Sequence, residues 1–427
     1  MIGRNLPDPL VDYETEDGRD TCSVRLSCRP DTRELAKWDE LVQNVPGSDV
    51  AQLSPWAEVR RPAGFEPLYL FVQRGAELVG GALVLTRRLP LVGEVGYVPY
   101  GPVIAFGAER DPVIAALGAA MRRLASRKLR MLFVQPPLEG ADISLELRRT
   151  GFRPSHAGIA PVASLRLDLA KDEGELFSAL PKETRRRARK WPECGVRVHR
   201  GTEQDVPLLA RLHAATARHH GFEPIPLNYL ETLYRRLAPT GHVELFIGEV
   251  DGIPVFADLL TGCGGVLKGR VTGMDRDSAA GRLKVPAAVR WETIRWAKAK
   301  GYRWFDFGGI RDAAVTILQE ERSDLSALTS SEVFKASFGG TPFRYPTPVE
   351  MISPAVVRAA YDFTLRGRAS GRLAARTSHL LRLGGMSAGG VWRSVIPFAH
   401  RTNDAGSKTE DSPLGPIWNQ EQSSQSS

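Results

Sequence analysis

Apolar and polar positions alternate in two stretches that each contain a tight turn. The first is 75–85, where Gly75 and Gly80-Gly81 punctuate runs of leucine and valine. The second is 246–257, where Asp251-Gly252 separates two apolar runs. Asp-Gly between alternating apolar residues is typical of a β-hairpin turn. The pattern therefore predicts a hairpin in each stretch.

A helix and then a strand are predicted after each hairpin. Apolar positions with helical spacing run from about Pro112 to Arg127 and from about Pro286 to Lys300, where Gly301 ends the second helix. The strands Met131–Val134 and Trp304–Phe307 follow. The same order recurs roughly 175 residues later, which is the scale of a duplicated domain. The alternative is two unrelated α/β segments.

These elements predict an α/β (α+β) fold in which two related domains have mixed sheets flanked by helices. The residues outside them are polar or strongly charged, which is typical of disordered tails. We predict the following division: a disordered acidic N-terminus 1–20, a first domain 21–165, a second domain 166–350, a basic helical segment 351–401 and a disordered tail 402–427.

Composition is that of a soluble globular protein: 42% of the 427 residues are hydrophobic and 25% are charged. No apolar run reaches the roughly 18 residues that a membrane-spanning helix needs, and no signal peptide is expected. Four cysteines lie without CxxC spacing, so neither a metal site nor a disulfide framework is predicted. We expect reduced thiols and a cytoplasmic location. The net charge of +8 favours a polyanionic partner, which is a nucleic acid, an anionic membrane or a phosphorylated substrate.

An ordered set of short motifs resembles the Fem family of aminoacyltransferases, which build peptidoglycan cross-bridges from aminoacyl-tRNA. The match covers about residues 35–345, and each motif is weak alone while the order is fairly specific. The motifs are Gln52-x-Ser54-Pro55-Trp56, Gly80-Gly81-Ala82, Leu89-Pro90, Gly96-Tyr97-Val98-Pro99-Tyr100-Gly101-Pro102, Thr184-Arg185 with Arg189-Lys190 and Gly195-Val196, Asp306-Phe307-Gly308-Gly309, and Phe334-Lys335-x-x-Phe338-Gly339.

The resemblance implies two acetyltransferase-like (GNAT) domains side by side, which fits the duplication. It implies transfer of an amino acid from aminoacyl-tRNA to an amine of a peptidoglycan precursor, linked to a nucleotide or to a lipid. An aminoacyl ester is already activated, so no cofactor is expected beyond the aminoacyl-tRNA co-substrate. A natural-product amine is an alternative acceptor.

Lys335 is the predicted catalytic residue. It lies between Phe334 and Phe338, where its charge is partly removed from water and therefore acts more strongly. Such a cation can stabilise the oxyanion of a tetrahedral intermediate, or hold the terminal phosphate of the tRNA. The alternative is a lysine that only caps local backbone carbonyls.

Three kinds of residue are candidates for substrate binding. Arg185, Arg186 and Arg189 crowd one short helix, where guanidinium groups suit a diphosphate, although a solvated helix face is an equal alternative. Tyr97 and Tyr100 precede a Gly-Pro step and are predicted to line the acceptor groove or merely to pack. Asp306 lies in an aromatic strand and needs a partner, which is either the substrate or the Gly308-Gly309 backbone.

Three questions about partners stay open in the sequence. Arginines alternate with apolar residues over 356–382, a pattern that suits an anionic membrane at the inner face, tRNA phosphates, or packing on the domain. An acyl-CoA-dependent N-acyltransferase is a second enzyme class, although 276–286 lacks the glycine-rich pyrophosphate loop of such enzymes. A non-catalytic RNA-binding protein on a transferase scaffold is the third possibility.

Overall fold

The computed structural model describes residues 10–11, 22–90, 92–320 and 325–366. The predicted disordered tail 402–427 lies outside these ranges, as do residues 367–401 of the basic segment. Of the predicted disordered N-terminus, only the two residues of the first strand are described.

The chain forms sixteen strands and twelve α-helices in its described part. The strands are β1 Leu10–Val11, β2 Cys22–Ser27, β3 Glu66–Arg74, β4 Glu77–Leu89, β5 Gly93–Val98, β6 Val103–Ile104, β7 Met131–Val134, β8 Arg153–Pro154, β9 Ala163–Asp168, β10 Val196–Arg200, β11 Val243–Val250, β12 Ile253–Cys263, β13 Val266–Met274, β14 Trp304–Asp306, β15 Thr341–Arg344 and β16 Val349–Ile352. The helices are α1 Thr32–Asn44, α2 Ser54–Arg60, α3 Arg110–Arg127, α4 Ala141–Arg149, α5 Glu173–Ser178, α6 Lys182–Ala188, α7 Val206–His220, α8 Leu227–Leu237, α9 Val285–Ala299, α10 Asp312–Gln319, α11 Ser330–Ala336 and α12 Ala355–Arg366.

The first sheet has the order β1-β2-β3-β4-β5-β7-β16-β8, with β6 paired to β4. Its strands are antiparallel except for β5 and β7, which run parallel. Because successive side chains of a strand point to opposite faces, the sheet buries two clusters. One packs on α3 and α4, and the other packs on α1, α2 and α12.

The second sheet has the order β10-β11-β12-β13-β14-β9-β15. Here β13 and β14 are the parallel pair. Helix α9 covers one face, and α7 and α8 cover the other. Val59 of α2 joins the cluster on the α7–α8 face, so this face of the second sheet is turned toward the first domain.

The predicted duplication is visible in the order of elements. Each sheet contains a hairpin, a third antiparallel strand, a helix, and a strand parallel to the third one. The two predicted helices are confirmed, at Arg110–Arg127 and Val285–Ala299, and Gly301 adopts φ +82° just after the second. The α/β fold class with two mixed sheets flanked by helices is confirmed as well.

The chain crosses between the two sheets twice. Strand β9 follows the first domain in sequence but pairs with β14 and β15 of the second sheet. Strand β16 returns from the second domain to pair with β7 and β8 of the first sheet. The predicted boundary between 165 and 166 falls inside β9, and the domain ranges stay predictions.

The helices that are described are too short or too polar to cross a bilayer. The longest, α3, has 18 residues and carries several charges.

Candidate functional site

A narrow cleft lies between the two sheets, with a cavity volume of about 20 Å³. Its floor comes from the loop 47–50 before α2, from Tyr100 after β5, and from β13 and β14 of the second sheet. Three cations and two carboxylates line it, so the cleft carries an excess of positive charge. The charged residues are Asp49, Arg166, Lys268, Arg270 and Asp306.

Lys268 is the buried centre of this cleft. Its Nζ donates to Asp49 Oδ2 at 3.2 Å and to the Tyr345 hydroxyl at 3.1 Å, and it lies 4.1 Å from the Tyr100 ring centroid. Arg270 binds the other oxygen of Asp49 at 2.5 Å. Burial alone would raise the pKa of the Asp49 carboxyl, but Arg270 and Lys268 outweigh it and hold that pKa well below its usual range. Asp49 therefore stays ionised and fixes both cations.

Asp306 is fully buried at the end of β14. Its Oδ1 accepts hydrogen bonds from the Ser164 hydroxyl and from the Gly308 N–H at 2.8 Å. Its Oδ2 lies 4.0 Å from Nε of Arg166, and among the described residues it accepts no hydrogen bond. The carboxylate thus does satisfy the backbone at Gly308, while its second oxygen faces the cleft.

The two tyrosines predicted to bind substrate lie in different cavities. Tyr100 lines the cleft and packs 5.1 Å from Tyr345, between ring centroids. Tyr97 lines a separate groove of about 360 Å³ on the first sheet, together with Phe133, Gln135 and His156. The Tyr100 backbone has φ +49°, which is costly for a residue with a Cβ.

Strands β13 and β14 diverge at the edge of the cleft. Their parallel pairing ends at Lys268 opposite Asp306. Leu267 and Phe305 pack on the α9 side, so Lys268 and Asp306 point to the other face, toward the first domain. Beyond this pair the strand pairing stops, and Gly269 and Gly308 lie close together; we call this unpaired junction the slot. A Cβ at Gly308 would lie 3.1 Å from the Gly269 carbonyl oxygen.

Lys335 stands on the α9 side of this slot. It is half-buried on α11, and its Nζ donates to the carbonyl oxygens of Gly309 at 2.7 Å and Gly308 at 3.3 Å. Desolvation, and then the positive charge of Arg290, lower its pKa to about 8. A lysine in this state is both a cation and a weak base near neutral pH. Neither the backbone contacts nor the position at the slot tests the catalytic role of Lys335, which stays a prediction.

Helix α11, which carries Lys335, is fixed in place by contacts at its first turn. The Thr329 hydroxyl caps the helix, and the buried Glu332 carboxylate accepts from the Thr329 N–H in return. Arg311 binds the same carboxylate through its side chain and backbone. One turn later Phe334 and Phe338 pack edge to face, 5.3 Å apart.

The three arginines predicted to bind phosphate lie on α6 and just after it, on the α9 side of the second sheet. Arg185 donates to the carbonyls of Ser178 and Leu180, and its predicted role in phosphate binding stays a prediction. Arg186 is exposed and pairs with Glu183 at 2.6 Å, and Arg189 is exposed. None of them lines the cleft within the part of the chain that is described.

The cleft residues Asp49, Arg166, Lys268, Arg270 and Tyr345 were missed by the sequence analysis. Lys268 and Arg270 carry a weak signal, since two cations interrupt the apolar strand Val266–Met274. Asp49 and Tyr345 carry none, because they come from loops almost 300 residues apart and only the fold brings them together.

Comparisons with known proteins give one consistent result. The family model of the acetyltransferase (GNAT) domain matches residues 180–314. The lipid II:glycine glycyltransferase of Staphylococcus saprophyticus subsp. saprophyticus is 27% identical over 234 residues, which is 52% of this chain and 56% of the relative. The enzyme of the same name from Staphylococcus aureus (strain MRSA252) is 26% identical over 226 residues, 50% of this chain and 53% of the relative.

The chain thus spans about half the length of the curated relatives it matches. Among solved structures, the crystal structure of FemX superimposes with a TM-score of 0.66 at 18% identity, covering 77% of this chain and 98% of FemX. At that identity the likeness establishes the shared fold, and with the GNAT match it confirms the tandem GNAT-like architecture.

Proposed function

We propose that the chain is a Fem-family transferase and that it transfers an amino acid from aminoacyl-tRNA to an amine of a peptidoglycan precursor, in keeping with its similarity to the lipid II:glycine glycyltransferases and to FemX. The carrying observation is the slot between β13 and β14, which has Lys335 on one side and the cationic cleft on the other. Two substrates entering from opposite faces meet there.

The cleft suits the acceptor. A nucleotide- or lipid-linked muropeptide carries a diphosphate, and phosphate oxygens bind guanidinium and ammonium groups strongly. Arg166 supports this assignment, because its Nε is buried without a hydrogen-bond acceptor among the described residues. Asp306 Oδ2 is a second group that can still accept a hydrogen bond, and the acceptor amine is a suitable donor for it.

The α9 side suits the donor. Arg187 of α6 donates to the Arg282 carbonyl oxygen, which joins α6 to the loop before α9. This contact creates a basic surface of exposed side chains. They are Lys182, Arg186, Arg189, Lys190, Arg282 and Lys284. A polyanion such as tRNA is the natural occupant of such a surface, and its binding depends steeply on salt.

The chemistry at the slot is an acyl transfer. The neutral acceptor amine attacks the ester carbonyl, an amide C–N bond forms, and the ester C–O bond breaks. The attacking nitrogen gives up one proton as it becomes the amide nitrogen. The ribose oxygen of the tRNA takes up one proton and leaves as a hydroxyl. The Lys335 ammonium lies where it can stabilise the intermediate oxyanion.

The structure gives less support to acyl-CoA as donor. A pyrophosphate-binding loop needs backbone N–H groups that are available to the ligand. Here the N–H groups of Leu283, Lys284 and Val285 donate to carbonyls of their own loop, and that of Ala280 donates to Ser278 Oγ.

A membrane contact is proposed for α12, in keeping with a cytoplasmic protein at the inner face of the membrane. Tyr361 and Asp362 anchor the helix to Glu350 and Arg153 of the first domain. Val356 and Phe363 point outward and are 72% and 80% exposed. An apolar stripe beside Arg358 suits an anionic bilayer, where a lipid-linked acceptor resides.

The test is incubation with charged tRNA pools and either a nucleotide-linked or a lipid-linked muropeptide, followed by mass spectrometry. We expect an acceptor heavier by one amino-acid residue, and loss of this product after ribonuclease treatment. A product formed from acyl-CoA would support the alternative transferase. Tight tRNA binding without any product would support a non-catalytic RNA-binding protein.

A further inference from the structure

A buried ion pair lies behind the slot and has no part in the reaction described above. Arg290 of α9 and Asp258 of β12 approach to 2.9 Å, with side chains 7% and 0% exposed. Asp258 Oδ1 also accepts from the Thr272 hydroxyl at 2.9 Å. A buried ion pair contributes little more to the stability of a protein than apolar residues of the same volume would. Stability alone therefore does not explain why this pair is present.

The guanidinium of Arg290 reaches the slot. Its Nη1 lies 3.5 Å from the place that a Cβ of Gly269 would occupy. Lys335 Nζ lies 4.0 Å from the place that a Cβ of Gly308 would occupy. That Cβ would also contact the Gly269 carbonyl oxygen. The two cations therefore flank the same pair of glycines. Within the described residues, Nε and Nη1 of Arg290 have no hydrogen-bond acceptor.

We propose that Arg290, held by Asp258, is a positioning residue that keeps the Lys335 amino group on the Gly308–Gly309 carbonyls and facing the slot. Arg290 pairs with the buried Asp258 carboxylate and so competes with Lys335 for it. Only the effect on the transfer rate rests on the proposed function, because that function gives Lys335 its role in transfer.

The charges around Lys335 make the coupling testable. Arg290 on α9 lowers its pKa, whereas Asp306 on β14, Glu332 on α11 and Asp258 on β12 raise it. Arg290 and Lys335 are the cations that lower the pKa of Asp258. Removing Arg290 should therefore draw the Lys335 ammonium toward Asp258 and away from the slot. Removing the Asp258 charge acts in the opposite direction.

The first experiment measures how fast Lys335 is acetylated by an N-hydroxysuccinimide ester as a function of pH, with the modified peptide quantified by mass spectrometry. Only the neutral amine reacts, so the midpoint reports the lysine pKa. We expect a midpoint near 8 in the parent, an increase of about one unit or more in Arg290→Met, and a decrease in Asp258→Asn.

The double variant Arg290→Met/Asp258→Asn is the decisive comparison. Because the carboxylate that attracts Lys335 is gone, we expect the midpoint to return toward the parent value. The transfer rate, reduced at least about tenfold in Arg290→Met with little change in the acceptor KM, should recover in part. Arg153→Met, which breaks a partly buried ion pair of the first domain, is the control and should leave the midpoint unchanged.

Equal midpoints in all variants, or shifts of the same sign in Arg290→Met and Asp258→Asn, would overturn the proposal. The labelling needs no substrate, so opposite shifts uphold the Arg290–Lys335 coupling even if charged tRNA proves not to be the donor. If Arg290→Met does not fold, Asp258→Asn alone decides through the sign of its shift.

Discussion

At the scale of single residues, Lys335 is subject to two opposing influences. Desolvation and Arg290 favour the neutral amine, and the carboxylates of Asp306, Glu332 and Asp258 favour the ammonium. The balance places its pKa at about 8, where either form is accessible in a cell. Lys335 would stabilise the oxyanion as the ammonium, and it would act as a base as the neutral amine.

The pH dependence of turnover distinguishes the two forms. If the ammonium stabilises the oxyanion, kcat falls as pH rises through about 8, because the depressed pKa of Lys335 leaves it neutral above that value. The measurement is kcat against pH at saturating substrates. Lys335→Arg is the matched control, since arginine stays charged and should remove this falling limb. A kcat that keeps rising above pH 8 in the parent would assign Lys335 to the role of base.

Asp49 should matter for folding as well as for the cleft. Asp49→Ala leaves Lys268 and Arg270 buried without their shared carboxylate, and we expect a loss of about 3–5 kcal/mol in the free energy of unfolding. Urea denaturation at neutral pH measures it. The pKa of Asp49 is depressed, so its contribution is present above the ordinary range of aspartate and is lost as pH falls below it. Asp312→Ala removes an exposed ion pair with Arg344 and should cost at most about 1 kcal/mol; equal losses in the two variants would contradict the buried-cluster argument.

Individual residues show how far the sequence can go toward this site. Lys335 could be predicted because motif order and flanking phenylalanines both mark it. Asp49 and Tyr345 could not, since they converge with Lys268 only after the two sheets dock. The contacts of Arg185 to the Ser178 and Leu180 carbonyls were also beyond prediction, because no charge pattern shows contacts to the backbone.

At the scale of elements, the divergence of β13 and β14 creates the site. Pairing stops after Lys268 and Asp306, and the glycines at 269 and 308 let the two backbones approach closely without side chains between them. The hairpin, helix and strand order was predictable, because hydrophobic periodicity is local. The exchange of β9 and β16 between the sheets was not, because strand pairing over such distances depends on tertiary packing.

Gly308→Ala tests the slot, and Gly301→Ala is its matched control. Both glycines have positive φ, +84° and +82°, so both variants should lose about 1 kcal/mol of stability from backbone strain. Only at Gly308 does the added Cβ meet the Gly269 carbonyl oxygen and Lys335, whereas nothing lies within 4 Å at Gly301. We expect turnover to fall at least about tenfold in Gly308→Ala alone. Similar turnover in the two variants, each checked by thermal denaturation, would place the reaction elsewhere.

At the scale of the whole molecule, the two substrates are assigned to opposite faces of the second sheet. The acceptor cleft faces the first domain, and the basic surface around α6 lies on the α9 side. Under the proposed function, this separation would let a large RNA and a muropeptide bind together without overlapping.

Charge reversal separates the two faces experimentally. Arg186→Glu/Arg189→Glu should weaken tRNA binding at least about tenfold at low salt, with a smaller difference at high salt, and should leave acceptor KM unchanged. Arg122→Glu/Arg127→Glu changes the same net charge at exposed positions of α3 in the first domain. Filter binding of labelled tRNA over a salt series measures both. If the α3 variant weakens binding equally, only net charge matters; if acceptor KM rises in the α6 variant, these arginines belong to the acceptor site.

The most direct measurement is the single-turnover rate of transfer from pre-charged tRNA to a muropeptide acceptor, in the parent and in Lys335→Ala. We expect the parent to form the amide and the variant to be slower by a factor of about 10² or more, as for loss of an oxyanion-stabilising group, while its thermal stability and tRNA binding are retained. Near-parental transfer by the folded variant, or transfer by the parent from acyl-CoA but not from charged tRNA, would contradict the proposed function.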